Sequence, residues 1–143
     1  DKKGKTAVQN EPVKDEPIKA ERPEQVLNVL VLEDNVINQE LMNHLLEKQG
    51  HQVHMFAHAM DALAALNGGL NCDLMLVDYH LPDINGIEFI NQARMLQEGI
   101  PCAILTADVS DQLLTLCEQH RIDDVLTKPL NLDNLYRLLD GEN

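Results

Sequence analysis

The chain has 143 residues, 44% of them hydrophobic and 24% charged, and its 24 acidic side chains against 11 basic ones give a formal charge of −13. That is about one domain's length, too apolar for wholesale disorder, and it lacks the roughly 18 consecutive apolar residues that a membrane helix requires. The charge opposes broad binding to a polyanion such as DNA or RNA.

The acidity is unevenly placed. Residues 1–24 hold six acids and six bases, with Pro12, Pro17 and Pro23 among them and almost no large apolar side chains. Such a stretch buries too little surface to offset its ordering entropy, so a flexible linker is expected there, ahead of a domain over residues 25–143. The chain opens without Met or a signal peptide and is expected to be a segment of a longer protein. Cys72, Cys102 and Cys117 are odd in number and form no CxxC pair. They read as small buried hydrophobes in a reducing compartment, neither a disulfide framework nor a zinc knuckle.

From residue 26 onward, apolar runs alternate with amphipathic stretches. Leu27–Leu32 (LNVLVL) has the near-continuous apolar character of a strand covered on both faces. Ile37, Leu41, Leu45 and Leu46 then recur at helical spacing until Gly50. Gln52–Phe56 reads as a second strand, and Ala59–Leu66 as an Ala-rich helix stopped by Asn67-Gly68-Gly69. Leu74–Val77 is a third strand, with Asp78 at its end. The pattern predicts a helix over Gly86–Leu96, with Ile87, Ile90, Ala93 and Leu96 inward. Cys102–Leu105 is a fourth strand ending at Thr106. Ser110 is placed to cap a helix carrying Leu113, Leu114 and Cys117. Val125–Thr127 is a short fifth strand before Lys128-Pro129, and a last helix aligns Leu132, Leu135, Leu138 and Leu139. Five βα units predict an α/β fold: a doubly wound parallel sheet of five strands, order 2-1-3-4-5, flanked by five helices.

In such a sheet, ligands bind beyond the carboxyl ends of the strands, where the strand order reverses. Glu33 and Asp34 follow the first strand, Asp78 the third, Thr106 the fourth and Lys128 the fifth. Taken singly, each is explained as a cap or a solvated loop residue. Together they bring three carboxylates, a hydroxyl and an ammonium to one predicted crevice. Clustered carboxylates repel unless a cation sits among them, and an oxygen-only donor set suits a hard ion such as Mg²⁺ beside phosphate oxygens. A carboxylate nucleophile with an ammonium and a hydroxyl opposite suits in-line phosphoryl transfer through an aspartyl phosphate.

Glu33-Asp34, Asp78, the Leu81-Pro82…Gly86 turn, Thr106 and Lys128-Pro129 resemble the receiver (response-regulator) domain of two-component signalling, over about residues 26–140. VLEDNVINQELMNHLLEKQGH and DDVLTKPL resemble in particular the receivers of hybrid sensor histidine kinases. The resemblance implies that Asp78 accepts a phosphoryl group from a kinase phosphohistidine. It implies that Asp34, Glu33, Asp78 and the backbone carbonyl of His80 hold Mg²⁺. Thr106 and Lys128 would contact the phosphoryl oxygens, with a cis Lys128-Pro129 bond. Its implied partners are a histidine kinase domain, in the same parent chain, and a histidine phosphotransfer domain. Its implied setting is cytoplasmic, with no membrane contact by this segment, in a parent that can itself be anchored in the inner membrane.

Two departures from the family's usual pattern involve three positions. Val125 stands where many receivers carry a switching aromatic residue, which fits a receiver that mainly passes phosphate along. His80 and Asp108 occupy places whose side chains tune hydrolysis. Alternative functions are a phosphatase of the aspartyl-phosphate type, against which His80 stands where a second Asp is needed, and a free-standing response regulator. The scattered histidines (His44, His51, His54, His58, His80, His120) and Met42, Met55, Met60 and Met75 read as structural, the methionines as core filling. Tyr79 reads equally as a loop aromatic or as a side chain over the site mouth. Lys128 is expected to serve the phosphoryl chemistry, not folding.

Overall fold

A computed structural model describes residues 26–139, and the expected linker lies outside them. Strands and helices alternate: β1 (Asn28–Leu32), α1 (Val36–Lys48), β2 (Gln52–Phe56), α2 (Ala59–Asn67), β3 (Leu74–Asp78), α3 (Gly86–Leu96), β4 (Cys102–Thr106), α4 (Asp111–Gln119), β5 (Asp124–Thr127) and α5 (Leu132–Leu139). All neighbouring strands are parallel, in the order β2-β1-β3-β4-β5. This is the predicted topology. No helix among the described residues is long and apolar enough to cross a membrane.

The strand period of two divides the core. Leu30, Leu32, Met75, Val77, Cys102 and Ile104 face one side, against α2, α3 and α4. Val29, Val31, Leu74, Leu76, Ala103 and Leu105 face the other, against α1 and α5. Both faces being covered explains why the inner strands read as unbroken apolar runs. Helix starts are set locally, with Asn35 Oδ1 accepting from the Asn38 amide, Asn85 Oδ1 from Glu88 and Ser110 Oγ from Leu113 at 2.9–3.1 Å. Each such cap contributes about 1 kcal/mol. At Gly86 a Cβ would lie 2.6 Å from the backbone oxygen of Asp78. Only glycine lets α3 start this close to the end of β3.

Several side chains expected inside are not. Leu96 is 43% exposed and Met60 61%. Met60 lies off the stripe formed by Ala59, Ala62, Leu63 and Leu66, and Leu96 is the last residue of α3. Ile37, in the first turn of α1, is also exposed, as is Leu114 beside the buried pair Leu113 and Cys117. Cys102 and Cys117 are buried as expected, whereas Cys72 is only partly so. His44 points to solvent.

His51 is buried, and its Nδ1 accepts the amide of Leu27 at 3.0 Å, fastening the entry to β1. Burial holds its pKa below the ordinary 6.5. The unfolded chain therefore takes up a proton before the folded one. Stability is fully present above the unfolded value and falls as pH drops towards the lower folded value. The urea midpoint is expected to fall between about pH 7.5 and about pH 5.5 by more in the parent than in His51→Asn, which keeps an acceptor and does not titrate. Equal shifts in the two proteins would refute this.

Candidate functional site

The strand order reverses between β1 and β3, and the chain places its unusual polar groups at that edge. Glu33 follows β1, with its amide bonded to the Phe56 carbonyl at 2.9 Å. It is completely buried. Its Oε2 accepts from the Asn35 amide at 3.0 Å, and its carbonyl accepts from Gln39 Nε2 at 2.6 Å. The carboxylate is thus aimed by the first turn of α1. Asp34, next in the chain, is exposed.

Asp78 ends β3 and is 3% exposed, with Oδ1 accepting from the His80 amide at 3.1 Å. Carboxylate oxygens of Glu33, Asp34 and Asp78 lie within 4.8 Å of one another. Lys128, just past β5, is fixed by its amide, which donates to the Thr106 carbonyl at 2.8 Å. The Lys128-Pro129 bond is cis. Lys128 Nζ stands 2.9 Å from Glu33 Oε1 and 2.9 Å from Asp78 Oδ2. Burial alone would lower the Lys128 pKa, but its contacts with Glu33 and Asp78 outweigh that and hold it above the ordinary value. The ammonium is cationic throughout the physiological range.

Thr106 ends β4, one residue beyond Leu105, the register partner of Asp78. It is buried, and its Oγ1 accepts the Asp108 amide at 3.2 Å and donates to the Asp108 carbonyl at 3.3 Å. His80 is exposed, and its backbone pairs with Asn85 across the loop after β3. Tyr79 is half-buried against the core, its ring edge-on to that of His80 with centroids 4.9 Å apart. Val125 also packs on that core.

Three carboxylates against one ammonium leave two negative charges uncompensated in a largely buried cluster. Glu33 Oε1 is buried, with the Lys128 ammonium 2.9 Å away as its ion-pair partner and no further donor. A buried oxygen in that condition, in an all-oxygen set, is suited to a hard divalent cation and not to zinc or copper. Glu33, Asp34 and Asp78 offer such an ion three carboxylate oxygens within 4.8 Å of one another, and Asp78 sets a nearly buried carboxylate beside the Lys128 ammonium at the end of β3.

The sequence pattern brought out none of the contacts made by Gln39 or Asp83. Asp83, in the loop after β3, accepts from the Ala59 amide at 3.2 Å and the Met60 amide at 3.0 Å. The available signal was the start of α2, where His58 is the N-cap and gives no side-chain cap.

Comparison with known proteins gives a consistent picture. The model of the response regulator receiver domain matches residues 29–140. The chain is 32% identical over 108 residues to the sensory/regulatory protein RpfC of Xanthomonas campestris pv. campestris, spanning 73% of this chain and 15% of that protein. It is 35% identical over 117 residues to the sensor histidine kinase AruS of Pseudomonas aeruginosa, spanning 79% of this chain and 12% of that protein. The chain thus covers only a small part of either relative. Among solved structures it is similar to the receiver domain of sensor histidine kinase PA1611 from Pseudomonas aeruginosa PAO1, with TM-score 0.72 and 27% identity over 82% of this chain and 97% of that one. That receiver holds a magnesium ion coordinated in its active site cleft.

Proposed function

We infer the chemistry of this chain from one premise: it belongs to the response regulator receiver domain family of two-component signalling. Asp78 is the phosphoryl acceptor. One of its carboxylate oxygens forms a bond to phosphorus as the phosphorus–nitrogen bond of a kinase phosphohistidine breaks, and the released imidazole nitrogen keeps the electron pair. The observation that carries this reading is the position of Lys128 Nζ, 2.9 Å from both Asp78 and Glu33. A cation fixed there faces the oxygens of an incoming phosphoryl group without having to be reorganised.

Glu33, Asp34, Asp78 and the backbone carbonyl of His80 are the groups that would hold Mg²⁺. When bound, the ion supplies positive charge that offsets the transferring group's oxygens. Thr106 exchanges its bonds with Asp108 for a phosphoryl oxygen, and Lys128 pairs with another. The same site then passes the group to a histidine phosphotransfer domain, or slowly loses it to water. Similarity to part of a sensor histidine kinase supports a place within a hybrid kinase, fed by a kinase domain of the same parent. Val125, lacking an aromatic ring to rotate, supports a relaying role over one that remodels a distant face.

The test is incubation with acetyl phosphate and Mg²⁺, followed by intact mass. A gain of one phosphoryl group that hydroxylamine removes is expected, and a hydroxylamine-stable adduct would overturn the acceptor assignment. Asp34→Ala is expected to weaken Mg²⁺ binding, measured by calorimetry, by at least about tenfold. Unchanged affinity would remove Asp34 from the metal set. Asp34 is exposed, so the fold should tolerate its loss.

A further inference from the structure

The loop Tyr79–Asn85 joins the acceptor strand to α3 and carries His80. Its base is closed: the Tyr79 amide donates to the Leu105 carbonyl and the Gly86 amide to the Tyr79 carbonyl, each at 2.9 Å. His80 and Asn85 pair across it. Leu81 and Ile84 rest on the core. Beyond the base, one polar side chain reaches out. The two oxygens of Asp83 take up the amides of Ala59 and Met60, the first two residues of α2.

Those amides are orphans of a helix start, and α2 has no cap of its own from His58. Ala59 is completely buried, so the amides belong to an anchored element. A carboxylate on two N-terminal amides also meets the positive end of the helix. Desolvation is the largest single influence on Asp83 and raises its pKa, but the amides of Met60, Ala59, Asp83 and Ile84 together outweigh it and hold the carboxyl below its usual range. Asp83 therefore adds an ionised, directional tie between the loop and the start of α2 to the apolar packing of Leu81 and Ile84.

We propose that Asp83 is a positioning residue for the phosphoryl-accepting centre: by fastening the loop to the start of α2, it holds the backbone of residue 80 against Asp78. The contact it protects is the His80 amide to Asp78 Oδ1, 3.1 Å long. That bond orients the carboxylate, and the same backbone segment carries the carbonyl assigned to the metal set. This inference rests on the reading of the site under Proposed function.

The test uses Asp83→Ala, which removes both acceptors, and Asp83→Asn, which keeps one. Asp83 is exposed, so both variants should fold. Hydrogen exchange should report faster exchange at Ala59 and Met60 in Asp83→Ala and, in addition, at His80. Calorimetry should show a Mg²⁺ dissociation constant weaker by roughly tenfold in Asp83→Ala and an intermediate value in Asp83→Asn. A merely structural cap would free the Ala59 and Met60 amides and leave both His80 exchange and Mg²⁺ affinity at the parent's level, and that result overturns the proposal. Should the parent itself fail to bind Mg²⁺, the reading of the site falls instead, and His80 exchange alone then decides whether Asp83 positions the loop.

Discussion

Asp78→Asn is expected to take no phosphoryl label from acetyl phosphate or from a cognate kinase, at any Mg²⁺ concentration, while remaining folded. An amide oxygen lacks the charge and basicity needed to attack phosphorus, and no other described carboxylate shares the position beside Lys128 at the end of β3. Stability is the second readout. The substitution removes one attraction at 2.9 Å and two repulsions at 4.8 Å or less. Coulomb energy varies inversely with distance, so these nearly cancel. What is left is relief from burying a charge that is only 3% exposed. In metal-free buffer the variant should therefore be at least as stable as the parent, by up to about 1 kcal/mol. It should also lose most of the rise in melting temperature that Mg²⁺ confers on the parent through binding to the folded state. Labelling equal to that of the parent would overturn the assignment of Asp78.

Lys128→Ala is expected to reduce phosphorylation and, contrary to what the sequence implies, to destabilise the fold. The reason is Glu33. An exposed ion pair contributes about 0–1 kcal/mol, whereas stripping the partner from a buried charge costs about 3–5 kcal/mol. The Glu33 side chain has no exposure at all, and Lys128 has 19%. The second figure governs. The amide of Asn35 still donates to Glu33 Oε2 and softens the loss, so the expected cost is about 2–3 kcal/mol in metal-free buffer. Denaturant unfolding measures it directly. The double variant Lys128→Ala with Glu33→Gln should recover part of the loss, because the more buried of the two stranded carboxylates is gone while Asp78 still lacks its ammonium, and should remain unable to accept phosphate normally. A Lys128→Ala protein as stable as the parent would show that Glu33 does not depend on its ammonium.

The order of elements was legible because each signal is local. Apolar runs of four to six residues, the capping residue Ser110, and the stops at Gly50 and Asn67-Gly68-Gly69 act within a few positions of themselves. With five βα units, the right-handed crossover rule leaves few topologies, so the strand order followed as well. Burial was less legible at helix ends. Ile37 and Leu96 continue the apolar spacing of their helices but lie in terminal turns and are exposed. Spacing records which face a side chain takes, not whether anything stands opposite.

The residues of the candidate site could be enumerated from the sequence because a parallel sheet delivers every strand's last residue to one edge. The sequence by itself determined which chemical groups arrive there: three carboxylates, a hydroxyl and an ammonium. Only the tertiary structure decided how they pair. The complete burial of Glu33, its sharing of Lys128 with Asp78, and the reach of Asp83 to the amides of Ala59 and Met60 all join residues 23 to 95 positions apart. Such contacts depend on where packed elements come to rest relative to one another, and no local pattern along the chain encodes that distance.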